Sequence, residues 1–154
     1  MNKYIKSSLI LIAALVTTLI IFIYNAPPKE EATFPEDLKT KELIQKTIEK
    51  NTIINFTSTL NFKFDNMIII KPYTDLDNYL KTTDIIPKKL NTNIHTADDI
   101  HLILFIKDQE IISYINYPRN SGDFPMVNNT IYPYNQTDFT ITKKKNWIFL
   151  DPVK

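Results

Sequence analysis

"IHLILFIKDQEIISYINY", residues 100–117, decides the fold. The segments "IHLILFI" and "EIISYINY" flank Lys107-Asp108-Gln109 as two strands flank a hairpin turn. Further on, "DFTIT" (138–142) and "WIFL" (147–150) flank Lys143 to Asn146 in the same way. Phe139 and Ile141 alternate to one side, as do Trp147 and Phe149, and together they predict an aromatic core face for this second hairpin. The second half of the chain is therefore β-structure.

Upstream, "FKFDNMIIIKPYT" (62–74) contains the apolar run Met67 to Ile70, typical of a strand buried on both faces. Pro72 ends it. Thr74 suits the N-cap of a short helix through Leu80, with Asp77 at the third helical position where an acid helps. "PEDLKTKELIQKTIEKN" (35–51) is a longer helix. Pro35 suits a first turn, Glu36 and Asp37 favour the positive helix end, and Leu43, Ile44 and Ile48 form a stripe narrow enough to cover one face of a sheet. "DIIPKKLNTNIHTADD" (84–99) has no period and reads as a long irregular connection or an edge segment. The expectation is an α+β domain: an antiparallel sheet of about four to five strands with one or two helices on one face. There are no internal repeats and no low-complexity segments.

The N-terminus "MNKYIKSSLILIAALVTTLIIFIYN" places Lys3 and Lys6 before an uncharged stretch, Ser7 to Tyr24. Its length matches the roughly 17 to 25 residues that a helix needs to span a bilayer. A cleaved signal peptide has a shorter apolar region and small residues before the cut, whereas this exit reads Tyr24-Asn25-Ala26-Pro27-Pro28, so the span is read as a retained anchor. Lysines on the N-terminal flank put the N-terminus inside and the bulk of the chain outside. The organisation expected is a single-pass membrane anchor over 1–24, a stalk over 25–34 and an extracytoplasmic domain over 35–154.

Composition narrows the function. The chain of 154 residues holds one domain with its own core. Of its 18 lysines and arginines two precede the span, leaving 16 against 17 acids, so a near-neutral outer domain gives no electrostatic case for nucleic acid. With no cysteine, disulfides, thiol chemistry and cysteine-rich zinc sites are excluded. One glycine excludes a glycine-rich phosphate loop. No cofactor is implied. Abundant lysine, isoleucine and asparagine with scarce alanine and arginine are the bias of an AT-rich coding sequence.

"FKFDNMIIIKPYT" and "LILFIKDQEIISYINYPRNSGDF", with a terminal aromatic strand "NWIFL", resemble a family of small uncharacterised, membrane-anchored or lipid-anchored proteins of low-GC bacteria. The resemblance spans about residues 56 to 150. In that family an aromatic-Asp pair opens the strand that runs into Pro-Tyr-Thr; these positions are Phe64, Asp65, Pro72, Tyr73 and Thr74, with tryptophan the residue expected at Phe64. The resemblance implies a shared extracytoplasmic fold and says nothing about catalysis.

Chemistry-bearing residues are few. "HTADDIH" gathers His95, Asp98, Asp99 and His101, but a loop followed by a strand separates the two histidines and lacks the helical i, i+4 pair, so solvated loop residues are the default. Ser58, Ser113 and Ser121 lie in no nucleophile elbow. Lys143 to Lys145 read as a solvated hairpin tip, with an anionic envelope surface the minor option. The sequons at Asn55, Asn128 and Asn135 are what an asparagine-rich and threonine-rich chain yields by chance.

The loop "YPRNSGDF" (117–124) holds the only arginine, Arg119, and the only glycine, Gly122. Gly122 is expected at positive φ. Arg119, where lysine is the default cation, suggests two-pronged bonding to a carboxylate, with Asp65 or Asp123 as partner, the loop acting as a clasp over the sheet end. Pro72, Thr74 and Gly122 are thus structural turn residues, and Asp65, Tyr73, Arg119 and Asp123 the candidates for contact with a ligand or partner. Two functions are compatible with these residues. One is a tethered module that binds a protein partner outside the cell, immunity-like or accessory. The other is a small-ligand-binding or hydrolytic envelope domain built on Asp65, Tyr73, Arg119 and Asp123.

Overall fold

The computed structural model describes residues 32–125 and 128–153, together with Val16. The expected membrane span and most of the stalk lie outside the described residues. No helix among the described residues is long and apolar enough to cross a membrane.

The first helix, α1 (Leu38–Lys50), begins three residues later than the sequence placed it, with Pro35 and Glu36 ahead of the cap. Asp37 is its N-cap, and its carboxylate accepts from the Thr40 amide (3.0 Å), the Thr40 hydroxyl (2.8 Å) and the Ser113 hydroxyl (3.1 Å). Burial works to raise the Asp37 carboxyl, but these bonds outweigh it and hold the pKa below the ordinary value. Ile44 and Ile48 are fully buried whereas Leu43 faces solvent, so the apolar stripe is narrower than its three residues suggested.

Among the described residues seven strands form two antiparallel sheets, rather than one sheet of four or five. β1 (Ile53–Asn55), β6 (Asp138–Lys144) and β7 (Trp147–Pro152) make a three-stranded sheet in the order β1-β6-β7. β2 (Asn66–Ile70), β3 (Ile100–Lys107), β4 (Glu110–Pro118) and β5 (Thr130–Pro133) make a four-stranded sheet in the order β4-β3-β2-β5. Two further short helices are α2 (Phe56–Thr59) and α3 (Leu76–Lys81). Sequence patterning missed β1 and β5 because three and four residues are too few to show a period.

The four-stranded sheet is apolar on both faces and needs cover on both. Met67, Ile69, Ile103, Phe105, Ile115 and Tyr117 face α1, Phe56 and the inner face of the smaller sheet. Ile68, Ile70, Leu102, Leu104, Ile106 and Tyr114 face Leu80 of α3 and Ile94 from the irregular segment. Each such fully buried side chain contributes about 1.5–3 kcal/mol relative to exposure. Ile111 and Tyr114 are three apart yet join the same cluster, which strict alternation forbids; a bulge resolves it, the pairing passing from Phe105 with Ser113 to Ile106 with Ile111.

The hairpin turns are tighter than expected. Lys107 pairs with Glu110, and Asp108 (φ 49°) and Gln109 (φ 65°) make a left-handed two-residue turn. In the second hairpin Lys144 pairs with Trp147, Phe149 with Thr142, and Leu150 with Ile141. The core face of β7 is therefore Ile148 and Leu150, and Trp147 and Phe149 point to the outer face, contrary to expectation. Alternation puts residues 147 and 149 on one side; only pairing decides which side meets Phe139 and Ile141.

The short helix is capped by Asp75, whose carboxylate accepts from the Asn78 amide at 3.1 Å, not by Thr74. Thr74 donates instead to the Lys71 carbonyl (2.8 Å) and to Asn129 Oδ1 (3.2 Å), which fixes the turn after Pro72. Residues 82–99 lack named strands or helices, as the sequence indicated. Backbone bonds from Ile86 to the Gln109 carbonyl and from Asp37 to the Tyr114 carbonyl close the outer edge of β4.

Candidate functional site

The loop after β4 is a clasp. Arg119 to Ser121 form a 3₁₀ turn, and the Gly122 amide donates to the Arg119 carbonyl at 3.2 Å. Asp123 then runs beside the free edge of β7: its amide donates to the Ile148 carbonyl (2.7 Å) and its carbonyl accepts from Leu150 (2.8 Å). Its side chain reaches the other sheet. Asp123 Oδ1 accepts from Arg119 Nε (2.7 Å), Oδ2 accepts from Arg119 Nη2 (3.1 Å), and Oδ1 lies 2.8 Å from His101 Nε2 on β3. Arg119 Nη1 and its backbone amide donate to the carbonyls of Asp98 (2.8 Å) and Asp99 (2.9 Å). One aspartate thus joins the two sheets, and the two-pronged pairing is the one arginine geometry supplies.

Electrostatics agree with the geometry. Burial works to raise the Asp123 carboxyl, and the bonds and charges of Arg119 and His101 outweigh it, so it stays ionised. Burial depresses the His101 imidazole below its ordinary value, against the pull of Asp123. With Asp123 charged, Nε2 carries the proton of that bond; the 3.3 Å approach of the Phe124 amide to the same nitrogen is a bond only in the other tautomer. His101 Nδ1 is buried without a hydrogen-bond partner among the described residues.

Gly122 does not take the left-handed conformation expected of it. Its φ is 168°, extended backbone that any residue adopts. What requires glycine is space: a Cβ would lie 2.9 Å from both Leu150 Cδ1 and Tyr117 Cε1, side chains that are fully buried. The left-handed positions among the described residues belong to Tyr73, Asp108, Gln109 and Lys145.

The structure joins two of the four contact candidates, Arg119 and Asp123. Tyr73 (φ 61°) projects into solvent, 65% exposed. Asp65 is not the partner of Arg119. It precedes β2 at the turn end of the β3–β4 hairpin, about 20 Å along the strand from Pro118, where its Oδ2 accepts from the Asp108 amide at 2.8 Å. The aromatic ahead of it, Phe64, is buried against Phe105 and Tyr134. The aromatic-Asp pair is thus a hairpin fastening.

Among the described residues, serines and histidines do not meet at the clasp. Ser58 donates to the Asn55 carbonyl, Ser113 to Asp37 and Ser121 to Asn120, so the serines considered as nucleophiles bond elsewhere than to His101. His95, Asp98 and Asp99 are exposed while His101 is committed to Asp123; no group of three or more acidic or histidine side chains among the described residues could hold a metal.

The opposite end of the sheet differs. Residues covering the second core stop short of β5 and leave a groove of about 470 Å³. Ile68 and Ile106 form its floor with Ile85 and Ile131, and Asp65, Asp84 and Asp108 stand on its rim; none of the described residues lining it is basic. Ile131 is 51% exposed and Ile86, next to Ile85, 50%. Sequence reasoning found only Asp65 here. Asp84 and Ile131 lie in stretches without periodicity, and no signal in the sequence joins them.

Comparison with family models, with curated proteins and with solved structures finds no match for this chain.

Proposed function

We propose that this protein is a membrane-tethered extracytoplasmic module of the kind its two motifs resemble, binding a protein partner in an immunity-like or accessory role. Ser7 to Tyr24 serves as the anchor, and the lysines before it set the N-terminus inside. A tether raises the effective concentration of a weak binder beside its target. The observation that carries the reading is the acid-rimmed groove. Its volume falls in the range of about 300–1,000 Å³ that ligand sites occupy. Exposed isoleucines beside an apolar floor offer area for hydrophobic contact, and three carboxylates without a basic neighbour in the lining select a partner segment that alternates lysine or arginine with apolar residues. The alternative use of Asp65, Tyr73, Arg119 and Asp123 around one small ligand is disfavoured because Asp65 stands at the other sheet end and Arg119 and Asp123 bond each other.

The test uses residues 32–154, a compact unit that contains both core clusters. Titrated with a blocked Ile-Lys-Ile-Lys-Ile peptide, its NMR spectrum should show saturable shifts at Ile68, Ile106 and Ile131, absent with Ile-Glu-Ile-Glu-Ile and weakened in Asp65→Asn/Asp84→Asn/Asp108→Asn. No shift, or equal shifts with both peptides, refutes the groove as the binding surface. Orientation is checked separately: external protease on wall-stripped cells should digest the domain, and protection would reverse the topology.

A further inference from the structure

We propose that the tip of the β6–β7 hairpin is a contact for an anionic lipid surface, a site independent of the groove. Lys143, Lys144 and Lys145 are consecutive and exposed at the tip, and the acids of the hairpin, Asp138 and Asp151, lie at its base. The tip is braced: Lys143 Nζ donates to the Glu49 carbonyl at 2.7 Å, tying the turn to the last turn of α1. Cross-strand pairing puts Lys144 beside Trp147 and Thr142 beside Phe149 on the outer face. Trp147 is 42% exposed with the Arg119 guanidinium 5.9 Å from its ring, and the Lys144 ammonium stands 5.7 Å from the ring of Phe149.

Cations directly beside an exposed indole and a half-buried phenyl ring are the arrangement that the bilayer interface accepts. The indole has an apolar body and a polar N–H for the headgroup level, and lysine stems reach past it to phosphates. A polyanion without an apolar layer would use the lysines and leave the rings in water. Because the domain as a whole is close to neutral, attraction depends on this local cluster. Each lysine near an anionic surface strengthens partitioning about fivefold.

Trp147 is the sole tryptophan of the chain, so its emission reports this site alone. Residues 32–154 are used, which lack the apolar N-terminal stretch that would itself enter vesicles. With phosphatidylglycerol–phosphatidylcholine vesicles the emission should shift to the blue and the protein should co-sediment, whereas pure phosphatidylcholine should do neither. Lys144→Gln/Lys145→Gln should reduce partitioning about twenty-five-fold with an unchanged melting curve, since both side chains are exposed and the brace from Lys143 to α1 is kept. Absence of the blue shift overturns the proposal. So does equal binding to heparin that Trp147→Ala leaves untouched, which would make the tip a general polyanion patch.

Discussion

The two ends of the four-stranded sheet use the same kinds of residue to opposite effect. At the end where β4 leaves the sheet, Asp123 has Arg119 and His101 as partners and its backbone completes the edge of β7. At the other end Asp65, Asp84 and Asp108 surround an apolar groove, and of the three only Asp65 has a bond that ties down structure there, to the Asp108 amide. A carboxylate that is enclosed must be paired, because an unpaired charge out of water costs several kcal/mol. One that stands in water beside isoleucines has no such constraint and is free to meet a partner. The clasp end is therefore where substitution should cost stability, and the groove end where it should cost binding.

The sharpest way to break that contrast is Asp123→Ala. It leaves His101 buried and Arg119 without its partner, and should lower unfolding free energy by about 3–5 kcal/mol, read from the chemical denaturation midpoint of residues 32–154. Arg119→Ala should cost less, about 2 kcal/mol, because the arginine side chain is 31% exposed against 11% for Asp123. Arg119→Lys should recover part of that loss, since an ammonium cannot bridge both oxygens. An unchanged midpoint in both arginine variants would return Arg119 to the binding residues.

Gly122→Ala comes next. The added methyl meets Leu150 and Tyr117 at 2.9 Å, and overpacking of this kind costs about 1–3 kcal/mol. The reading predicts equal or greater loss for Gly122→Ser, with no relief from Gly122→Asn; recovery by asparagine would instead point to a left-handed backbone.

Acid should loosen the same end. The His101 pKa is depressed in the folded chain, so the unfolded chain binds the proton first and stability falls as pH drops below about 6.5. The Asp123 pKa is also depressed; its contribution is complete above the ordinary carboxylate value of about 3.9 and is lost as pH falls through the lower folded value. His101→Gln, which keeps a donor without a titrating ring, should flatten the first decline and leave the second. A melting temperature that rises between pH 7 and 5 would contradict this.

The smallest effect belongs to the groove. Asp65→Asn/Asp84→Asn/Asp108→Asn should change stability by no more than about 0.5 kcal/mol, because all three side chains are exposed and the side-chain carbonyl that Asp65→Asn retains can still accept from the backbone amide of residue 108. A large loss would mean that the charges of these carboxylates, too, are needed for stability, and would erase the comparison.

Much of this was legible in the residues. Both hairpins, the doubly buried run Met67 to Ile70, the helix that follows Pro35 and a two-pronged carboxylate partner for Arg119, with Asp65 and Asp123 both open, follow from patterns local in the chain or from the chemistry of a unique arginine. Local pattern determines such things because strand alternation, caps and turns act over a few residues. Tertiary structure alone decided which side of β7 meets the core, that Gly122 answers to crowding rather than to backbone sign, that β1 and β5 complete two separate sheets, and that Asp65 stands at the far end from Arg119. It also assembled the groove, whose rim comes from residues 65, 84 and 108 and whose exposed wall comes from residue 131. These depend on contacts between segments tens of residues apart, where the free energy lies in shape and register rather than in residue type, and a one-residue slip of register sends every side chain to the opposite face.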